Sequence, residues 1–570
     1  MIYKIVNMLF CISLCLISIN PYYLVMKKRK NMGIPFFVAF AFVLNSCGLT
    51  SMISKFESID FTVTPKEVEV HGGKVAIELD VTVPEKYFNK SATMSFTPKL
   101  VWENGEISFK SVILQGEKVS SNGITIGYVT GGKFSYSDAI NYNKDMLTAD
   151  LFATATATLN DKTKTLGIEK IAEGVMATAT RVANNEVPAI AAHSYEHETI
   201  LEETATIYFS VNQSNVRYSQ KSSDDMKRLK EFAKLGYKTH SIEISSFASP
   251  EGTLDVNDKV SDNRAKSTFN YAKQLLRNLK VDGARNNDLY IQSSKGEDWG
   301  GFNSLVKASQ MKDKSKVLNI VRSQNDPQKR EEAIRDMAEI YDALEDDVLP
   351  KLRKATITLR VYQPKKTDEE ISTLATENPA ELDNKELLFA AELTDSDMAI
   401  YTTATTQFPN DYRGFNNIAA LHLAKGDLTK AKTWLDKANA ISANEDPVLE
   451  NYGIIAAREG DIDKAQTLFD QGNASDVNQG ILDIRQGDYK GAVSKLNGRG
   501  YNATLAKIMN GNNVTTTTTT AAAHYLNAVS AARSGDSTLA LENLNKAIAL
   551  DASLKAEAQN DIEFTGITIE

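Results

Sequence analysis

At 570 residues the chain is too long for one ordinary core and should divide into three or four domains. Its 42% hydrophobic and 24% charged residues are those of a folded globular protein, and a net charge of −9 argues against a phosphate backbone as the main partner, because nothing offsets the repulsion. Cys11, Cys15 and Cys47 are the three cysteines, so the chain beyond residue 47 can hold no disulfide, Cys–zinc or thiol-nucleophile site.

The first segment, 1–47, reads as a targeting region. Lys27-Lys28-Arg29-Lys30 precedes an apolar run from Gly33 to Leu44, which is too short to span a bilayer. The residues that follow, Leu44-Asn45-Ser46-Cys47-Gly48, resemble the lipobox of bacterial lipoproteins, with Asn45 in place of the commoner small residue. That resemblance implies that Cys47 is the diacylated first residue of the mature protein. A second apolar run, Ile5 to Ile19, lies upstream of Met26. Two accounts of it stay open: translation starting at Met26, or a transmembrane helix that moves the anchor to the inner membrane. Gly48 to Ile53 contains no acid of the kind that some Gram-negative groups use to send lipoproteins to the cell surface. The expectation is an outer-membrane lipid anchor on the periplasmic face.

From 54 to 183 apolar and polar residues alternate, as in Lys74-Val75-Ala76-Ile77-Glu78-Leu79-Asp80-Val81. Gly72-Gly73, Asn104-Gly105, Asn122-Gly123 and Gly131-Gly132 punctuate the runs as hairpin turns should, which predicts a β-sandwich. A linker at 183–198 carries His193 and His197, four apart; no third metal ligand follows in sequence, and the segment reads as solvated.

Residues 199–364 alternate strand and helix, with a helical insertion at about 296–350, and predict an α/β sandwich whose helices cover one face of a small sheet. Asn257-Asp258-Lys259-Val260-Ser261-Asp262-Asn263-Arg264-Ala265 resembles the N-x-x-L-S-x-x-R-A signature of the OmpA C-terminal-like family. Members of that family bind peptidoglycan through the diaminopimelate residue of its peptide. The resemblance implies that Arg264 grips a carboxylate with two parallel hydrogen bonds, while Asn257 and Ser261 shape the adjoining loop. Where the family carries an Asp for the ligand's amine, this chain has Ser249, and Glu251, stiffened by Pro250, is left to compensate. Gly296-Glu297-Asp298-Trp299 opens the insertion, with Trp299 expected to pack beneath it.

The last region, 366–570, is helical throughout. Gly-Asp-x-x-x-Ala recurs at Gly426–Ala431, Gly460–Ala465, Gly487–Ala492 and Gly535–Ala540, and the first two copies are 34 residues apart. That period resembles the tetratricopeptide (TPR) repeat. The glycine should end one helix, the aspartate start the next, and the alanine let the pair approach. Such a solenoid docks extended or helical segments on its inner helices, with Asn416, Asn417, Asn451 and Tyr452 as residues to watch. Thr515–Thr520 reads as a flexible low-complexity loop.

No nucleophile elbow, H-E-x-x-H, P-loop or dinucleotide fingerprint appears, and the six histidines are scattered. The expectation is therefore no enzyme, no cofactor and no metal. The protein reads as a scaffold: its lipid anchor sits in the membrane, its OmpA-like domain touches peptidoglycan, and its repeats hold envelope proteins. The alternative is an accessory factor for assembly or secretion of fimbrial or outer-membrane proteins, without peptidoglycan binding.

Overall fold

The computed structural model describes residues 47–498 and 500–570. The expectations placed on residues 1–46 lie outside that range, and Cys47 is the first residue of a helix, Cys47–Ser54. Among the described residues no helix is long and apolar enough to cross a membrane.

The chain forms two compact units, one running up to Asn185 and resuming at Gln479–Glu570, the other Glu186–Asn478. In the first unit two sheets face each other. One has the order Asp60–Thr64, Lys74–Val83, Val68–His71, Val175–Met176, with Gly132–Asn141 also paired to Lys74–Val83. The other has the order Lys162–Ala172, Asp150–Leu159, Thr93–Trp102, Val112–Gly116, Ile124–Ile126, with Gly105–Ser108 beside Thr93–Trp102. The predicted alternation holds: Val75, Ile77, Leu79, Val81 and Val83 all point inward, where they meet Met94, Phe96, Leu100 and Leu151 of the facing sheet. Gly72 and Gly73 take positive φ in the turn before Lys74, a conformation that a Cβ disfavours. The last helices share this unit, and Arg533 joins Glu69 of the sandwich to Glu563 near the C-terminus.

The second unit contains a four-stranded sheet, ordered Ile200–Tyr208, Lys354–Tyr362, Thr239–Ala248, Tyr290–Glu297. Only the last pairing is parallel. Asp224–Ala233 and Leu254–Asn278 bury Met226, Leu229, Ala272 and Leu276 against Ile242, Ile244, Ile357 and Leu359. The insertion, which opens with Trp299–Ala308 and closes with Leu349–Leu352, has its own core of Phe302, Val306, Val317, Ile334 and Leu344.

Helix hairpins make up the remainder: Asn384–Leu393 with Asp397–Gln407, Tyr412–Ala424 with Leu428–Ile441, and Asp446–Glu459 with Ile462–Gln471 in the second unit; Ala521–Arg533 with Ser537–Leu550 in the first. The helices Asp476–Gln486, Tyr489–Lys495 and Tyr501–Met509 lie between these in sequence, with Asp368–Glu377 before them and Leu554–Asn560 after. The predicted turn chemistry is present. Gly426, Gly460, Gly487 and Gly535 sit at φ of 77°, 87°, 85° and 81°, and Asp427, Asp461, Asp488 and Asp536 accept a backbone N–H at the start of the second helix. Ala431, Ala465, Ala492 and Ala540 are each fully buried between the paired helices.

Candidate functional site

Two clusters of polar side chains stand out, and the first is where sequence placed it. The strand Thr239–Ala248 runs into a loop and then into the helix Leu254–Asn278, whose buried stripe includes Asn257, Ser261, Arg264, Ala265, Thr268 and Ala272. Spacings of three and four put these residues on one face, and that face packs on the sheet. The structure therefore brings Ser249, Glu251, Asn257, Ser261 and Arg264 together, but it gives their polar atoms to the protein itself.

Arg264, only 2% exposed, donates from Nε to the Gln213 carbonyl (3.0 Å), from Nη1 to that of Phe247 (2.9 Å) and from Nη2 to that of Ser210 (3.3 Å). Its guanidinium lies 5.2 Å from the Phe209 ring centre. Burial lowers its pKa to about 10, so it stays charged at neutral pH. Glu251 is held by both arms of Arg353, at 2.7 and 2.6 Å, and also accepts from the Ser249 hydroxyl at 2.7 Å. Asn257 Nδ2 donates to the Gly252 carbonyl (3.1 Å) and to Glu297 (2.7 Å), whose other oxygen accepts from the Trp299 indole (2.8 Å). Ser261 is fully buried, exchanging hydrogen bonds with Ser246 and accepting one from Ser294. Trp299 packs on Phe302 and under Arg330 of the insertion, as expected. Asp298 caps the helix that starts at Trp299 and pairs with Lys354 at 3.0 Å. As built, the cluster staples the strand-to-helix loop to its neighbours.

The second cluster is one that the sequence does not display as a unit. Asn417, Asn451 and Asn478 lie on three successive first helices of the array, and each clamps one residue of the segment that sequence reads as a solvated linker. Asn417 Oδ1 accepts the Ala191 N–H (2.8 Å) while its Nδ2 donates to the Ala191 carbonyl (3.2 Å). Asn451 treats Ala189 in the same way, at 2.8 Å for both bonds, and Asn478 holds Val187 at 2.7 and 2.8 Å. Alternate residues of an extended chain turn the same edge one way, so a single edge of this strap is read by a row of side-chain amides. Asn416 reinforces it, donating to the Ala189 carbonyl (3.0 Å) and accepting from Asn451 (3.0 Å). Glu450 orients Asn478 by accepting from its Nδ2 at 2.7 Å. Glu186 forms a 2.8 Å ion pair with Arg458, their side chains only 1% and 7% exposed. At the far end Arg413 donates to the Ala192 and His193 carbonyls, and Tyr195 stacks on Phe389 with centroids 4.9 Å apart. His193 and His197 flank the same Phe389 ring.

The first unit repeats the device twice. Asn502 clamps Ala183 at 2.9 Å on both sides, and Asn527 clamps Thr516, at 2.8 and 3.1 Å, within the threonine run that sequence reads as flexible. Asn416, Asn417 and Asn451 are thus buried under the chain's own backbone, while Tyr452 hydrogen-bonds Asp436 at 2.6 Å. A signal for the row is present in the sequence: Asn417, Asn451, Asn478 and Asn502 each precede a glycine (Gly426, Gly460, Gly487, Gly511) by nine residues.

No family model matches the chain, and no curated protein does. Solved structures do. A tetratricopeptide repeat protein from Parabacteroides merdae ATCC 43184 is 15% identical over 41% of this chain and 98% of its own, with a TM-score of 0.25. YrrB, a TPR protein with an unusual peptide-binding site, is 17% identical over 34% of this chain and 99% of its own, at 0.20. Yeast Tom70 is 12% identical over 53% and 73%, at 0.18. Likenesses this slight carry no argument about what the chain does.

Proposed function

We propose that this protein is a non-enzymatic scaffold of the cell envelope, anchored by a lipid at Cys47 on the periplasmic face of the outer membrane, whose helical repeats hold extended polypeptide by its main chain. The observation that carries this reading is the asparagine row, in which a bidentate amide meets every second residue of an extended strand. Amide-to-backbone bonding is indifferent to most side chains, which suits a holding role better than a catalytic one. The assembly or secretion form of the scaffold is the one this row supports, because what it holds is polypeptide main chain. The test is affinity capture of the lipidated full chain from membranes, comparing wild type with Asn451→Asp. Envelope proteins retained by the first and lost from the second support the reading, and identical captures contradict it.

A second reading, contact with peptidoglycan through its diaminopimelate peptide, has one observation in its favour: Ser249, Glu251, Asn257, Ser261 and Arg264 converge on one loop and helix start. It requires the Glu251–Arg353 pair to open and Arg264 to release a carbonyl. Retention of the full chain on isolated sacculi, lost in Glu251→Gln, would establish it; no retention would leave the scaffold alone.

A further inference from the structure

We infer that the row Asn417–Asn451–Asn478 with Arg458 is a docking surface for a partner polypeptide, and that the chain's own Glu186–Ala191 is the placeholder that shows what the partner segment must look like. The inference rests on the scaffold reading above and names its partner class.

The seated strap supplies the template. Six of the bonds that hold it link asparagine amides to the main chain of Val187, Ala189 and Ala191, three donated by the main-chain N–H and three by Nδ2, so an extended segment of other sequence can make them. Side-chain identity enters at two places. Glu186 pairs with Arg458 where both are buried, and a buried cation that loses its partner is costly, so the segment needs an acid there. Ala191 is 1% exposed, so the residue five positions after the acid must be small. Val187, by contrast, leaves 57% of its surface in solvent and Ile190 46%, so positions one and four after the acid are free. Pro188 falls between clamped residues, where no amide needs an N–H, and it holds Val187 extended. The partner is thus an extended segment with an acid, a small residue five later, and proline tolerated at the second position.

The main-chain bonds that hold the strap are the same ones that a separate segment would make. The strap's advantage is local concentration, typically in the millimolar range for a tethered segment, and a partner that presents the same pattern competes on equal bonds. Loosening the strap therefore exposes the site without touching it.

The test uses the full chain and a fluorescent peptide that copies Asn185–His193. Val187→Pro with Ala191→Pro removes two N–H groups from the strap and leaves every asparagine in place. Glu186→Gln is a milder variant that should fold even where the double proline does not. Anisotropy titration should show at least tenfold tighter peptide binding to either strap variant than to wild type. Adding Asn478→Ala should abolish it, and a peptide with Gln for Glu should bind about tenfold more weakly. No gain in the folded strap variants, or binding that survives Asn478→Ala, overturns the inference. If the captures with Asn451→Asp still differ from wild type, the scaffold reading survives that failure.

Discussion

Replacing Asn451 by Asp changes one atom type and almost no volume, and it isolates what the clamp contributes. Asn451 Nδ2 donates to the Ala189 carbonyl at 2.8 Å and to Asn416 Oδ1 at 3.0 Å. A carboxylate keeps the bond from the Ala189 N–H but sets an oxygen against both of these acceptors. A net hydrogen bond contributes about 1 kcal/mol, and a buried group left without a partner costs about 1–3 kcal/mol. Two lost bonds, with burial of a charge moderated by the remaining N–H, come to about 3 kcal/mol of local stability. At about 1.4 kcal/mol per decade this raises the open population of the strap on the order of 100-fold. Elastase, which cleaves after small residues, reads that population directly when opening is fast relative to cleavage. The strap of Asn451→Asp should be cut on the order of 100-fold faster than that of wild type, with the helices of the array no more sensitive than before. A strap cut at the wild-type rate in a folded variant would refute the clamp as its restraint.

Arg264→Ala should destabilise the second unit by about 3–5 kcal/mol, since three carbonyls lose a buried donor and a cavity opens; urea unfolding followed by a probe in that unit measures it. Ala465→Leu forces a side chain into a fully buried helix contact and should cost about 1–3 kcal/mol, seen as an earlier melt of the repeats. Gly460→Ala places a Cβ at φ 87° and should cost about 1 kcal/mol in the same assay. Burial, reinforced by Glu297 and Glu251, raises the Glu331 carboxyl from 4.5 to about 7 against the pull of Arg335. A carboxyl that keeps its proton longer when folded favours the folded state fully below 4.5, and that contribution falls away as pH rises to about 7. Wild type should therefore lose more stability between pH 5 and 7.5 than Glu331→Gln, by at most about 3 kcal/mol; parallel melts at the two pH values would show equal losses if the reasoning is wrong.

Much of the architecture was legible because it is written in local period. Alternation in Lys74–Val83 and the Gly-Asp-x-x-x-Ala units specify their own strand and hairpin turns, whatever surrounds them. The central motif was legible as a helix start but not as an environment. Spacing puts Asn257, Ser261 and Arg264 on one face, yet nothing local tells whether that face meets solvent or a sheet. The carbonyls that surround Arg264 come from Ser210, Gln213 and Phe247, none of which the motif contains. The linker failed for the complementary reason. Asn184, Asn185, Pro188 and a run of alanines look solvated by composition, because the groups that hold the segment act on its main chain, which composition does not describe. The asparagines nine residues ahead of each glycine were visible, but a polar residue recurring on a repeat acquires meaning only beside the segment it holds.

Residue-resolved amide exchange across 186–192 in the wild-type chain tests the clamp most directly. The N–H groups of Val187, Ala189 and Ala191 are donated to asparagine oxygens, while among the described residues that of Ile190 has no such acceptor. Slow exchange at 187, 189 and 191 with fast exchange at 190 is the expected pattern. Uniformly fast exchange through the segment would contradict the strap and, with it, the scaffold built on it.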